Sequence, residues 1–197
     1  MPAPQISILV PAYGEAATIE TVVRRVADLG LDAEIIVVDD GSADATAEIV
    51  TALGAKLPGV RLLRHERNQG KGAAVRTAIA ASTGEFVLIQ DADLEYDPAD
   101  IPKLLQPLLT GVADVVYGTR LRGGEPQRAH LFWHYAGNRF LSLMTNVLFN
   151  TTISDMEVGY KAFRGDLVRS FRIVSDDFAF EPEITARVLL TPGIRLY

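Results

Sequence analysis

Cysteine is absent from the 197 residues, so the chain has neither a disulfide framework nor a thiolate metal site. That absence leaves the redox compartment open and is compatible with the cytoplasm. Positive charge is scarce as well. Nineteen Lys and Arg against 25 Asp and Glu leave a net charge of −6, which argues against bulk nucleic-acid binding. The opening Met1-Pro2-Ala3-Pro4-Gln5 has no basic stretch before an apolar run, so it does not read as a signal peptide. Long uninterrupted apolar runs are missing too. The richest stretch, Leu131 to Phe149, contains His134, Asn138, Arg139 and Asn146. A spanning helix needs about 20 largely apolar residues, and an arginine near its centre is unfavourable in a bilayer. The stretch therefore reads as an amphipathic helix. No internal repeat or low-complexity tract is visible. About half of the residues are apolar, enough for one domain with a real core.

Along the chain, short apolar runs alternate with helical spacing. Ile6-Ser7-Ile8-Leu9-Val10, Ile35-Ile36-Val37-Val38, Val60-Arg61-Leu62-Leu63, Glu85-Phe86-Val87-Leu88-Ile89 and Asp114-Val115-Val116-Tyr117 read as strands. Between them, Ile19, Val22, Val23, Val26 and Leu29 form one helical stripe, ended by Gly30. Ser42 is placed to cap the next helix, with Thr46, Ile49, Val50 and Leu53. Val75, Ala78, Ile79 and Ser82 mark a third, and Ile101, Leu104, Leu105, Leu108 and Leu109 a fourth. Residues 155–164 read as a turn and a strand. A last helix begins at Phe178 to Glu183, with stripe Ile184, Val188 and Leu189, and Ile194 to Tyr197 opens another strand. The alternation predicts an α/β fold with a mostly parallel sheet covered on both faces.

Such sheets bind ligands at the carboxyl ends of their strands. The unusual polar groups fall at those ends: Tyr13 and Glu15 after strand one, Asp39 and Asp40 after strand two, Asn68 and Lys71 after strand three, Asp91 and Asp93 after strand four. The fourth group is the most telling. In Gln90-Asp91-Ala92-Asp93-Leu94-Glu95, acidic residues occupy alternate positions as a buried strand ends. Alternate side chains of an extended segment share a face, where three carboxylates repel one another unless a cation sits among them. Oxygen ligands suit Mg²⁺ or Mn²⁺, which usually also hold a substrate phosphate. Asp97 as cap and Pro98 at the first helical position account for the following helix without calling on Asp91 or Asp93.

A nucleotide-sugar site needs a base or ribose contact, charge control at the diphosphate and a metal. Tyr13 and Glu15 suit base and ribose, Asp40 can accept from either, and Lys71 brings positive charge to phosphate. Gly70 and Gly72 permit close backbone approach. Asp39 fits better as a turn carboxylate bonded to nearby backbone. Two other classes compete. Gly70-Lys71-Gly72-Ala73-Ala74-Val75 partly matches a dinucleotide fingerprint and would make the chain an oxidoreductase, but Val75 stands at the third glycine and the motif follows the third strand. A nonenzymatic nucleotide-binding module would leave the arginine-containing segment after Gly118 and the amphipathic helix without a use.

Val10-Pro11-Ala12-Tyr13-Gly14-Glu15, Val38-Asp39-Asp40-Gly41-Ser42, Arg67-Asn68-Gln69-Gly70-Lys71-Gly72 and Gln90-Asp91-Ala92-Asp93-Leu94-Glu95 together resemble family 2 glycosyltransferases of the GT-A fold, over roughly the first 120 residues. Gly118-Thr119-Arg120, Asp155 to Arg164 and Phe180-Glu181-Pro182-Glu183 are similar to the polyprenyl-phosphate subgroup, the dolichyl-phosphate mannose synthases and their bacterial relatives. Two positions depart from the pattern: Gly14 stands where Asn is usual, and Glu95 where many mannose synthases have Gln. The resemblance implies a nucleotide-sugar site of Pro11, Tyr13, Glu15, Val38, Asp40, Lys71, Asp91, Ala92 and Asp93. It implies Mg²⁺ or Mn²⁺ on Asp91, Asp93 and Glu95.

The expected reaction is inverting transfer of a hexose, mannose or glucose, from GDP-mannose or UDP-glucose to a polyprenyl phosphate. Asp93 and Arg120 are the expected catalytic residues, and Arg120, Arg128 and Arg139 the expected acceptor-phosphate contacts, because arginine's planar fork suits phosphate oxygens. Residues 1–118 would form the nucleotide-sugar half and 119–197 the acceptor half, without the strand and basic segment that usually follow in the subgroup. A soluble hydroxyl acceptor is the alternative, with Asp155 or Glu157 as base. The expected location is the cytoplasmic membrane face, held peripherally by the helix from about His130 to Phe149. The rival covers for that helix are the protein's own sheet or a second copy in a homodimer.

Overall fold

Apolar runs that alternate between two cores make the sheet of this molecule. The computed structural model describes residues 5–119 and 132–197. Strands β1 (Ile6–Ala12), β2 (Ala33–Asp39), β3 (Val60–Arg64) and β4 (Phe86–Ile89) are mutually parallel. They are joined by helices α1 (Ile19–Asp28), α2 (Thr46–Gly54) and α3 (Lys71–Ala81). Helix α4 (Ile101–Leu109), entered through a short 3-10 turn at Pro98–Asp100, leads to β5 (Val115–Tyr117). Then come α5 (Phe132–Phe149), β6 (Lys161–Arg164), α6 (Gly165–Ser170) and α7 (Phe180–Leu189). The six strands lie in the order β3-β2-β1-β4-β6-β5, and β6 is antiparallel to both of its neighbours.

Period-two geometry sends alternate side chains to opposite faces. Ile8, Val10, Ile35, Val37 and Leu88 pack with α1, α2 and α4 residues on one face. Leu9, Ile36, Val38, Val87 and Ile89 pack with Val75, Phe163, Phe180 and Ile184 on the other. Burial on both faces explains why the strands read as continuous apolar runs. Leu109, assigned to the α4 stripe, is instead exposed. The two expected caps have different outcomes. Asp97 accepts from the Ala99 N–H at 3.0 Å, as its position predicts. Ser42 does not cap α2. That helix starts later, at Thr46, and the Ser42 hydroxyl instead accepts from the Gly14 N–H at 2.9 Å.

Helix α5 reverses the usual pattern. Asn138, Ser142 and Asn146 recur every fourth residue and turn inward onto residues 153–156. Asn138 Nδ2 donates to Asp155 Oδ1 (2.7 Å), Ser142 Oγ accepts from the Met156 N–H (3.1 Å), and Asn146 exchanges bonds of 2.8 and 2.7 Å with the backbone of Ile153. Phe140, Leu143, Val147 and Leu148 face outward and are exposed. Residues 130 and 131 of the expected helix, and the side chains of Phe132, Trp133, His134 and Tyr135, lie outside the described residues. No helix among the described residues is long and apolar enough to cross a membrane.

Candidate functional site

A cleft of about 880 Å³ opens where β1, β2 and β4 end. The strand tails are fastened to one another before any ligand is considered. The Glu15 N–H donates to Thr46 Oγ1 at 2.9 Å and the Gly14 N–H to Ser42, so the loop after β1 is tied to the loop after β2. This leaves Tyr13 on the cleft with 56% of its surface exposed. Pro11, Ala12 and Glu15 line the same wall, whereas Val38 is buried in the core below it.

Asp40 is buried and fully engaged. Its carboxylate accepts from His65 Nδ1 (2.6 Å), from the Gln69 N–H (3.0 Å) and from the Gly70 N–H (2.8 Å). A carboxylate can only accept, so the proton lies on His65 Nδ1, and Nε2 pairs with Thr77 Oγ1 at 2.9 Å. Asp40 therefore holds the loop that delivers Lys71 while also bordering the cleft. Asp39 behaves as a turn carboxylate. It is fully buried, accepts from the Ser42 N–H at 3.2 Å, and has Arg64 Nε 3.1 Å from Oδ2 without hydrogen-bond alignment.

Gly70 and Gly72 make room for the chain's own backbone. A Cβ on Gly70 (φ +99°) or Gly72 would collide with the backbone carbonyls of Asp176 and Ser175. The Ala73 N–H donates to the Asp176 carbonyl at 3.0 Å. The close approach these glycines permit is taken up by the chain's own 175–177 segment, which seats the start of α7 against the start of α3.

The acidic stretch after β4 is not extended. Leu94 has φ +61°, an uncommon backbone for a branched residue, and Asp93 Oδ1 accepts from the Glu95 N–H at 3.0 Å. Alternate positions therefore do not share one face here, and among the described residues no three His, Asp or Glu side chains converge on a point. Asp91, Asp93 and Glu95 nonetheless all border the cleft. Tyr96 and Tyr160 stack at 4.6 Å and brace this loop. The Tyr96 hydroxyl accepts from the Gly159 N–H at 2.7 Å, and the Tyr160 hydroxyl shares its hydrogen between Gln90 Oε1 (2.5 Å) and the Asp97 carbonyl (2.8 Å).

A chain of alternating charge runs from the core to the cleft. Lys161, on β6, is fully buried and donates to the Val158 carbonyl and to Glu181 Oε2. Glu181 Oε1 lies 3.3 Å from Lys71 Nζ, which lies 2.8 Å from Asp91 Oδ1. Burial works against the Lys71 charge, but Asp91 and Glu181 outweigh it and hold the ammonium above its ordinary range. For Lys161, burial dominates and pushes the ammonium below its ordinary value, while Glu181 pulls the other way. Sequence reasoning assigned no site role to Lys161, Glu181 or His65, nor to Phe178, which borders the cleft. The legible signals were the motif resemblance of the segments that hold Lys161 and Glu181, and a lysine inside Lys161-Ala162-Phe163-Arg164, a strand otherwise of core character.

The donor chemistry suits a hard divalent cation. Among the described residues, the cleft border offers carboxylate oxygens and neither thiolate nor imidazole, and Mg²⁺-type sites commonly use one or two carboxylates with phosphate oxygens and water completing the shell. A cation, the Lys71 ammonium, already sits on Asp91. Of the expected acceptor contacts, Arg120 and Arg128 lie outside the described residues. Arg139 is exposed on α5, whose neighbours Gly137, Asn138 and Leu141 border the cleft. Of the two alternative bases, Asp155 is buried against Asn138 and Glu157 borders the cleft.

Residues 7–171 match the family described as Glycosyl transferase family 2. The chain belongs to that family. Among family 2 relatives, it is 33% identical over 186 residues to the glycosyltransferase AglJ of Haloferax volcanii, covering 93% of this chain and 58% of AglJ. It is 34% identical over 124 residues to the dolichol-phosphate mannosyltransferase of Pyrococcus furiosus, covering 61% of this chain and 35% of that enzyme. The fold is similar to glucosyl-3-phosphoglycerate synthase of Mycobacterium tuberculosis, solved with Mn²⁺, UDP-glucose and phosphoglyceric acid. That match has a TM-score of 0.71 and 27% identity, over 90% of this chain and 62% of that one. The sheet and its flanking helices are those of GT-A glycosyltransferases. The chain thus spans between about a third and two thirds of the length of these relatives.

Proposed function

We propose that this family 2 enzyme is an inverting transferase that moves a hexose from a nucleoside diphosphate sugar to a polyprenyl phosphate. The observation that carries this reading is the double role of α5. One turn of the helix borders the cleft through Gly137, Asn138 and Leu141, while Phe140, Leu143, Val147 and Leu148 lie exposed on its outer side. A lipid phosphate needs that adjacency, because its head must reach a polar cleft while its tail stays in apolar surroundings. The dolichol-phosphate mannosyltransferase among the relatives supports the same acceptor class.

The chain's own groups divide the work. Tyr13 offers an exposed ring for the base, with Pro11, Ala12, Glu15 and Ala92 shaping the wall around base and sugar. Asp40 positions the loop carrying Lys71, whose ammonium faces the diphosphate. Asp91, Asp93 and Glu95 all border the cleft, and from among these carboxylates would come the one or two that hold Mg²⁺ or Mn²⁺, which when bound supplies the charge that stabilises the departing nucleotide diphosphate. An acceptor phosphate monoester is already ionised near neutral pH, so it needs positioning more than a general base. Arg120, with Arg128 and Arg139 behind it, is assigned to that positioning. The donor half is 1–118 and the acceptor half 119–197. Attachment to the membrane is peripheral, through the outer face of α5, on the cytoplasmic side.

A soluble hydroxyl acceptor is favoured by one observation: Glu157, a carboxylate capable of serving as base, borders the cleft. A panel of GDP- and UDP-sugars with Mn²⁺ separates the two readings. Nucleotide release that depends on an added polyprenyl phosphate is expected. Release that depends instead on a soluble hydroxyl acceptor, with polyprenyl phosphate inert, would overturn the proposal.

A further inference from the structure

The carboxylate at the end of β4 already has a cation, and that cation is a side chain. Lys71 Nζ is 2.8 Å from Asp91 Oδ1 and 3.3 Å from Glu181 Oε1. Its backbone cannot follow a ligand. Lys71 opens α3, the preceding Gln69 and Gly70 N–H groups are bonded to buried Asp40, and the Ala73 N–H is bonded to the Asp176 carbonyl. Only the side chain is free to swing. Glu181 is equally fixed, because its second oxygen is taken by Lys161, which is fully buried in a strand paired with β4.

A divalent cation and an ammonium cannot both sit on the same carboxylate oxygen without strong repulsion. Asp91 Oδ2 is packed close against Gly159, so the two cations contend for Oδ1, and there one of them has to leave. We propose that Lys71 is an internal counter-ion that holds Asp91 until a divalent cation and a diphosphate arrive together, and that the buried Lys161–Glu181 pair is the post that keeps Lys71 in the cleft once Asp91 releases it. The proposal rests on reading the cleft as a metal–diphosphate site. An ammonium has three donors. Asp91 and Glu181 occupy two directions, and giving up Asp91 turns a donor toward incoming phosphate oxygens. The metal alone must displace Lys71 with nothing to take the freed ammonium. A diphosphate alone meets Asp91 with its charge only half compensated. Together each ligand removes the other's obstacle, which is positive coupling between two sites. Glu181 and Lys161 are positioning residues in this scheme, since neither has to touch the metal or the diphosphate.

Mn²⁺ binding to the full chain, followed by the electron paramagnetic resonance signal of the free ion, tests this without any turnover. Titrations are run with Mn²⁺ alone and with GDP or UDP present, and circular dichroism confirms that each variant is folded. Lys71→Ala should bind Mn²⁺ alone roughly two- to fivefold more tightly than wild type, the range expected for removing one partly exposed ion pair. The same variant should bind Mn²⁺ with the nucleotide more weakly than wild type. The double variant Lys161→Met/Glu181→Gln keeps the local charge balance and avoids stranding a buried lysine. It should bind Mn²⁺ alone more weakly, because Lys71 then has Asp91 as its remaining partner. Made on top of Lys71→Ala, the double substitution should have no effect, as nothing is left to be held.

Loss of Mn²⁺ binding in Lys71→Ala, or an undiminished effect of the double substitution in its absence, would overturn the counter-ion scheme while leaving the metal reading intact. Absence of Mn²⁺ binding by wild type with either nucleotide would overturn both.

Discussion

Asn138 donates its amide to the buried carboxylate of Asp155 at 2.7 Å, and that bond turns the polar side of α5 into the protein. The apolar side is left to find another cover. Replacing Leu143 and Val147 by glutamate should change thermal stability little, within about 0.5 kcal/mol for exposed positions. It should also abolish pelleting with anionic vesicles. If the substitutions instead dissociate a dimer in sedimentation velocity and leave vesicle binding unaltered, the face belongs to a second copy. Asn138→Leu, by contrast, removes one hydrogen bond to a buried carboxylate and should destabilise by about 1–3 kcal/mol.

Arg120 lies in a segment whose charge opposes the acidic whole. From Arg120 to Arg139 there are four arginines and one acidic residue, Glu125. Arg120→Ala should weaken apparent affinity for polyprenyl phosphate by roughly tenfold or more, the scale of a charged hydrogen bond, and leave nucleotide affinity nearly unchanged. A fall in donor affinity would place Arg120 at the diphosphate.

Asp93→Asn should keep the turn, because an amide oxygen can still accept from the Glu95 N–H as Asp93 Oδ1 does at 3.0 Å. Metal-dependent donor binding should nevertheless largely disappear, since the anionic ligand is gone. Calorimetry with donor and Mn²⁺ reads this directly. Unchanged affinity and metal dependence would remove Asp93 from the metal site.

The C-terminal segment should be the acid-sensitive part of the fold. Asp114 accepts from Arg195 Nε and Nη2, each at 2.8 Å, and from the Arg195 N–H at 3.1 Å. The Arg195 hydrogen bonds hold the Asp114 carboxyl down at about 2, against the upward push of burial. A depressed carboxyl contributes stability that is complete above its unfolded value near 3.9 and is lost as pH falls toward about 2. Arg195 is half exposed, so after allowance for screening the contribution is roughly 1 kcal/mol. Asp114→Asn should lower the melting temperature at neutral pH and flatten its decline between about pH 4 and 2. An acid profile identical to wild type would show that other carboxylates set it.

The sheet was legible because its strands β1, β2 and β4 are buried on both faces, as with Ile35 to Val38. The converging polar ends were legible for the same reason: strand ends are easy to place. Conformations fixed by distant chain segments were not. Gly70 and Gly72 read as room for phosphate, yet what fills that room is residues 175–177, a hundred positions away. Three acidic residues at alternate positions assume an extended backbone, and the positive φ of Leu94 breaks that assumption. Lys161 is a lysine with no exposed surface, and only the meeting of β6 with α7 reveals its partner Glu181. The inward turn of the α5 polar row depends on the 153–156 backbone, which amphipathic spacing cannot anticipate.

The place of β6 between β4 and β5 sets an order on how the chain can be built. Strands β1 to β4 can pair as soon as residue 89 has emerged from the ribosome. β5, complete at Tyr117, has no lateral partner in the sheet until Lys161 to Arg164 arrive. During that interval the open edge of β4 and the whole of β5 are unpaired apolar strands, the kind of surface that recruits other nascent chains. Synthesis of the intervening segment, α5 with its outward apolar face included, is thus the stage at which this protein most needs a chaperone or a slow, dilute environment.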